Sequence, residues 1–159
     1  MVSKLDFDHV TAVVTDLDAA TDALRRLLGD PPSATVNLPG MSIRSFPLGD
    51  GEIHLNMPTG PGPVDAFHRE HGPGVHHVAL RVTDLDSKLA ELAAKGFRTL
   101  GSPIQTAPGL REVFLDPEGL GGLWIQLVER RMETDTIELD PVSIHDLVAQ
   151  TQRRPEHGR

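Results

Sequence analysis

Asp8-His9-Val10-Thr11-Ala12-Val13-Val14-Thr15-Asp16-Leu17-Asp18 and His76-His77-Val78-Ala79-Leu80-Arg81-Val82-Thr83-Asp84-Leu85-Asp86 are two versions of one stretch. The pentapeptide Val-Thr-Asp-Leu-Asp recurs unchanged 68 positions later, and in each copy a histidine stands five places before it. Self-similarity at a fixed offset marks a duplicated structural unit. A duplication that keeps a metal-capable imidazole at a matching place points to one shared site.

Working outward, Phe7 to Val14 alternates and is rich in valine, which predicts a strand. Asp16 can cap a helix, because its carboxylate accepts the unpaired amides of the first turn. Leu17, Ala20, Leu24, Leu27 and Leu28 follow at helical spacing, and Gly29 ends the run. Short strands are expected at about 34–38, 41–48 and 51–57, the last two joined by the Gly49-Asp50-Gly51 turn. In the second copy a strand at 75–82 leads to the Asp84 cap and to Leu85, Leu89, Leu92 and Ala93, closed by Gly96. Strands are expected next at about 97–104, 110–115 and 121–128.

The fold class is therefore α+β: two βαβββ modules, 5–57 and 74–129, related by a pseudo-twofold and forming a curved mixed sheet around a central cleft. A linker, 58–73, holds a short helix near Val64–His71. The segment 130–159 is a C-terminal tail. In the tail, 133–140 is polar and acidic, Ser143 is the expected cap of a short helix through Gln150, and the closing 153–159 reads as disordered. Having no counterpart in the first half, the tail reads as an appendage, a dimer arm or a lid.

Composition narrows the function classes. A net charge of −8 and an isoelectric point near 5.4 argue against nucleic acid and anionic membrane surfaces. The absence of cysteine removes thiolate ligands, Cys nucleophiles and disulfides, and fits a reducing compartment. The N-terminal stretch lacks the apolar run of a signal peptide, so the expectation is a soluble cytoplasmic protein.

Matching the last strands of the two halves pairs Ile53 with Ile125, His54 with Gln126 and Leu55 with Leu127. His9, His54, His77 and Gln126 then all fall inside apolar strands, where an unpaired polar side chain costs about 1–3 kcal/mol. A shared divalent cation would satisfy all four, and neutral imidazoles with an amide oxygen suit Zn, Fe, Ni or Co. Strand alternation points His76 the other way, as a structural residue. His68 and His71, among Arg69 and Glu70, read as a solvated helix face. Asp116, before Pro117, reads as a turn residue.

These stretches resemble the vicinal oxygen chelate superfamily, which includes glyoxalase I, extradiol dioxygenases and bleomycin- and fosfomycin-resistance proteins. The resemblance covers about 5–130. HHVALRVTDLDSKLAELAAKGFR, the VFLDP turn and GGLWIQLVE read like the methylmalonyl-CoA epimerases of that group. The resemblance implies one divalent metal held by His9, His54, His77 and Gln126, acting as a Lewis acid for an enolate or similar anion. It also implies two departures. Gln126 stands where the epimerases have a glutamate, and Ile43 stands near the position of a carboxylate base.

An amide cannot relay a proton at neutral pH, so Glu52 and Glu112 become the candidate bases. A neutral ligand shell leaves the metal charge uncompensated and favours an anionic substrate. Arg44 and Arg111 are the candidate substrate-binding cations. The expected function is a metal-dependent isomerase, epimerase or lyase acting on a small carbonyl or acyl-thioester substrate, working as a homodimer without nucleic-acid or membrane partners. The alternatives are a three-histidine iron oxygenase and a non-catalytic protein that sequesters a small molecule such as an antibiotic.

Overall fold

The computed structural model describes residues 4–131 and 138–152. The chain divides into two compact units, one spanning Asp8–Val78 and one composed of Met1–Phe7 and Ala79–Arg159. Each is built on the strand–helix–three-strand pattern, so the α+β class and the βαβββ repeat are as expected.

In the first unit β1 (Asp6–Val13, its first two residues counted with the other unit) is followed by α1 (Leu17–Leu28), β2 (Val36–Leu38), β3 (Met41–Leu48) and β4 (Gly51–Pro58). The strand order is β2-β3-β4-β1. β1 runs parallel to β4, with His9 opposite Glu52 and Thr11 opposite His54. β3 runs antiparallel to β4, with Arg44 opposite Leu55 and Ser45 opposite His54.

Because side chains alternate across a strand, this register sorts the two faces. One face carries Ala12, Phe46, Ile53, Leu55 and Met57, and α1 packs there through Leu17, Ala20, Leu24 and Leu28. The opposite face carries His9, Thr11, Ser45, Glu52, His54 and Asn56. The helix starts as expected, with Asp16 Oδ1 accepting the Ala19 amide at 2.9 Å. It ends at Gly29, whose φ of 81° only glycine adopts without strain. After a second helix, α2 (Pro63–His71), β5 (Gly74–Val82) carries the chain into the second unit.

The second unit adds α3 (Leu85–Ala94), β6 (Ile104–Ala107), β7 (Leu110–Phe114), a 3-10 turn (Pro117–Leu120), β8 (Ile125–Arg130) and α4 (Pro141–Ala149), with strand order β8-β7-β6. Its faces are sorted in the same way. Val113, Leu115, Ile125 and Leu127 meet Leu85, Leu89 and Leu92 of α3. Gln126 (opposite Phe114) and Glu112 (opposite Val128) lie on the other face. Asp84 caps α3, accepting the Ser87 amide at 3.0 Å.

Two strands, one helix cap and the tail depart from expectation. The strand placed at 97–104 forms at Ile104–Ala107, and only a bridge between Thr99 and Leu115 precedes it. Gly101 and Pro103 interrupt the ladder, since proline has no amide hydrogen to donate. The strand placed at 121–128 begins at Ile125, because Gly121 and Gly122 take positive φ values of 65° and 88° to close the 3-10 turn.

The cap of α4 is Asp140, not Ser143. Its carboxylate accepts the Ser143 amide at 3.1 Å, and Pro141 opens the helix. The described part of the tail is also no projecting arm. Ile144, Leu147 and Val148 are buried, and the Gln150 side chain accepts from the Phe114 amide and donates to the Ser102 carbonyl. The acidic stretch 133–137 and the closing 153–159 lie outside the described residues. Among the described residues no helix is long and apolar enough to cross a membrane.

Candidate metal site

The face of the first unit turned away from α1 gathers imidazoles. The ring centroids of His9 and His54 are 4.0 Å apart with planes inclined at 14°, and those of His9 and His77 are 5.5 Å apart, edge to face. His9 and His77 are buried, and the His54 side chain is 21% exposed. The parallel register is what does this. It sets Thr11 beside His54 and Glu52 beside His9, so residues far apart in sequence share one surface.

Each ring is held by a neighbour. His9 Nδ1 donates to Asp8 Oδ1 at 2.7 Å, and His54 Nε2 donates to Glu52 Oε2 at 2.6 Å. His76 and His77 are joined Nδ1 to Nδ1 at 2.8 Å. His76 also meets the Phe67 ring of α2 edge-on at 4.6 Å. Burial, with a smaller contribution from the charge of His71, lowers the His76 pKa to about 4, so this imidazole is neutral at physiological pH. It is a buried neighbour of His77. His68 reaches Thr15 Oγ1 at 2.9 Å, tying α2 to the start of α1.

The other residues singled out in the sequence separate by face. Glu52 sits with the histidines. In the second unit Gln126 is 3% exposed, and its carbonyl oxygen has no hydrogen-bond donor among the described residues. Glu112, on the same face of that unit as Gln126, accepts the Thr106 hydroxyl at 2.5 Å.

Arg44 and Arg111 lie on the helix-covered faces. Arg44 donates to Asp18 at 2.8 Å, to Thr21 at 3.0 Å and to Thr35 at 2.7 Å. Arg111 holds Asp86 through two bonds of 2.9 and 3.0 Å and approaches Glu129 at 3.6 Å. The hydrogen bond from Arg111 holds the Asp86 carboxyl below its ordinary range. Any anion recruiting either guanidinium would compete with these carboxylates. Asp116 accepts the Glu118 amide at 3.0 Å, as a turn residue does.

Two residues escaped the sequence reading. Asn56 lies two positions after His54 on the same face, 8% exposed, and its side-chain oxygen has no donor among the described residues. Its i, i+2 spacing from His54 was the available signal. Asp8, given no role in the sequence reading, is buried against His9.

A family profile described as the Glyoxalase/Bleomycin resistance protein/Dioxygenase superfamily matches residues 8–114. The chain belongs to this superfamily. It is 31% identical to the mouse protein "Methylmalonyl-CoA epimerase, mitochondrial" over 125 residues, covering 76% of this chain and 70% of that one. Among solved structures, the methylmalonyl-CoA epimerase of Mycobacterium tuberculosis superposes with a TM-score of 0.71 at 27% identity, covering 80% of this chain and 89% of that one. A variant of the Streptomyces coelicolor epimerase in complex with 2-nitronate-propionyl-CoA superposes at 0.69 with 26% identity, covering 81% and 100%. The superfamily's glyoxalase-type fold agrees with the repeated βαβββ unit described above.

Proposed function

We propose that this chain is a metal-dependent enzyme that generates an enolate from an acyl-CoA thioester or a related small carbonyl compound. The observation that carries the reading is the gathering of His9, His54 and His77 on one face, within ring contact of one another. His9, His77 and His54, all of the first unit, would hold one divalent ion. The resemblance names Gln126 as a fourth donor, and its own buried oxygen lacks a hydrogen-bond donor among the described residues.

The donor chemistry fits such an ion. Three imidazoles and an amide suit Zn, Co, Ni or Fe better than a hard cation that prefers carboxylates. The ring orientations do not yet fit, and among the described residues no group of three or more His, Asp or Glu stands in a ready coordinating arrangement. Planes inclined at only 14° cannot both pass through one ion close to two stacked rings, so His54 must turn off His9 for both to ligate. When bound, the metal would polarise a substrate carbonyl and stabilise developing negative charge.

Glu52 is the favoured base. It lies on the histidine face with its side chain 45% exposed, and the bond it accepts from His54 would be released as that ring turns. Ile43, opposite Asn56 in the strand register and so on the same face, supplies no second base. One base exchanges an activated proton on one face of a carbon, whereas epimerisation needs a proton group on each side. The reading therefore favours proton exchange or an isomerase or lyase reaction over rapid epimerisation.

The test is to reconstitute the protein with Zn²⁺, Co²⁺, Ni²⁺ and Fe²⁺ in turn and to incubate it with methylmalonyl-CoA in heavy water. Stoichiometric metal and deuterium at the α-carbon, both lost in His77→Ala, are expected. Protein that takes up none of these metals overturns the proposal.

A further inference from the structure

Asp8 and His76 occupy equivalent places in the repeated stretch, each immediately ahead of a histidine of the gathered set. Both are buried, at 4% and 6% exposure. Both reach the same atom of the residue that follows: Asp8 Oδ1 lies 2.7 Å from His9 Nδ1, and His76 Nδ1 lies 2.8 Å from His77 Nδ1. A neutral imidazole carries one N–H, so the nitrogen that donates fixes the other as the lone-pair atom.

We propose that Asp8 and His76 are positioning residues, each accepting the Nδ1–H of the next histidine so that Nε2 of His9 and of His77 carries the lone pair for a metal. The inference rests on the metal reading above. A carboxylate can only accept, so the His9 proton lies on Nδ1. Two ring nitrogens 2.8 Å apart share one proton. If His77 donates it, His76 carries its own proton on Nε2, and the edge contact with Phe67 keeps the His76 ring in that orientation.

The two devices are unequal. An anionic acceptor makes its imidazole a stronger donor to a metal than a neutral acceptor does, so His9 is the stronger ligand of the pair. His54 follows a different rule. Its Nε2 faces Glu52, which assigns the lone pair to Nδ1, and the residue before it, Ile53, has nothing with which to orient it.

The test is nitrogen-15 NMR of histidine side chains, first on metal-free protein and then during zinc titration. His9 and His77 are expected as Nδ1–H tautomers and His76 as Nε2–H, with only the Nε2 resonances of His9 and His77 moving strongly on zinc addition. Asp8→Asn and His76→Gln retain an accepting oxygen and should keep the tautomers. Asp8→Leu and His76→Leu fill the space without an acceptor. They should mix the tautomers and weaken zinc binding about 10–100-fold, more for Asp8.

A purely structural role would lower thermal stability in the leucine variants and leave the tautomers of the folded protein unchanged, which would overturn the proposal. Zinc binding with His9 or His77 protonated on Nε2 would overturn it alone. The expected tautomers with no uptake of any metal would instead overturn the metal reading and leave the proton assignment standing.

Discussion

Among the described residues Glu129 is the most deeply placed acid of the second unit, 1% exposed on the α3 side of β8. Its Oε2 accepts the amide of Leu85, the first residue of α3, at 2.8 Å. Arg131 binds it through Nε at 3.1 Å and Nη2 at 3.2 Å, and Arg111 stands 3.6 Å away. A negative charge here is stabilised by the positive end of the helix as well as by the two guanidinium groups.

Glu129→Leu keeps comparable volume and removes every acceptor. The Leu85 amide then lies buried without a partner, at a cost of about 1–3 kcal/mol, and the hydrogen bond from Arg131 is lost with it. Part returns as apolar burial, and Arg131 is 63% exposed and rehydrates easily. Arg111 keeps its two bonds to Asp86. The net loss should be about 2 kcal/mol, below the ~3–5 kcal/mol for breaking a fully buried pair. In a chain of this size that lowers Tm by about 4–8 °C. Calorimetry with urea unfolding at constant m-value reads it. A shift under about 2 °C would show that the buried carboxylate stabilises nothing beyond what a leucine supplies.

Gln126→Glu should tighten divalent-metal binding by adding a charged ligand, measurable by calorimetry; unchanged affinity would remove Gln126 from the ligand set. Arg44→Ala should destabilise the chain while leaving the Michaelis constant for a thioester substrate unchanged, because the guanidinium is committed to α1; a raised constant with normal stability would restore its substrate role. The Ser87 amide and hydroxyl hold the Asp84 carboxyl below the ordinary aspartate value of 3.8, so its cap is fully stabilising above that value and is lost as pH falls through the lower folded-state pKa. The stability gap between wild type and Asp84→Ala should accordingly be open at about pH 6 and shrink as the pH falls below the ordinary aspartate value of 3.8, and a pH-independent gap would contradict the assignment. Wild-type methylmalonyl-CoA epimerase activity should be slight, and turnover typical of enzymes would mean that a base other than Glu52 has been overlooked.

The repeated pentapeptide carried the fold because its central pair has a local job in both copies: Asp16 and Asp84 cap, Leu17 and Leu85 open the buried stripes. His9, His54 and His77 were legible as a group because the repeat equated their strands. The arginines misled because sequence spacing does not reveal strand register. Only the pairing of Arg44 with Leu55 and of Arg111 with Glu129 shows that both point to the helices. Asp8 and Asn56 were hidden for a related reason, since their burial depends on neighbours distant in the chain. The late start of β8 and the displaced β6 follow from Gly121, Gly122 and Pro103, residues whose backbone demands outweigh an apolar pattern.

The Arg44–Asp18 and Arg111–Asp86 clasps each tie the second residue of a helix to a strand of its own unit, but from register positions that are not equivalent: Arg44 lies opposite Leu55, whose counterpart Leu127 lies opposite Val113. The same end, a helix fastened to its own sheet, is thus reached from two different strand positions. Each half carries its own fastening, so a lone first module keeping Arg44 and Asp18 is the natural piece with which to ask whether one half folds by itself.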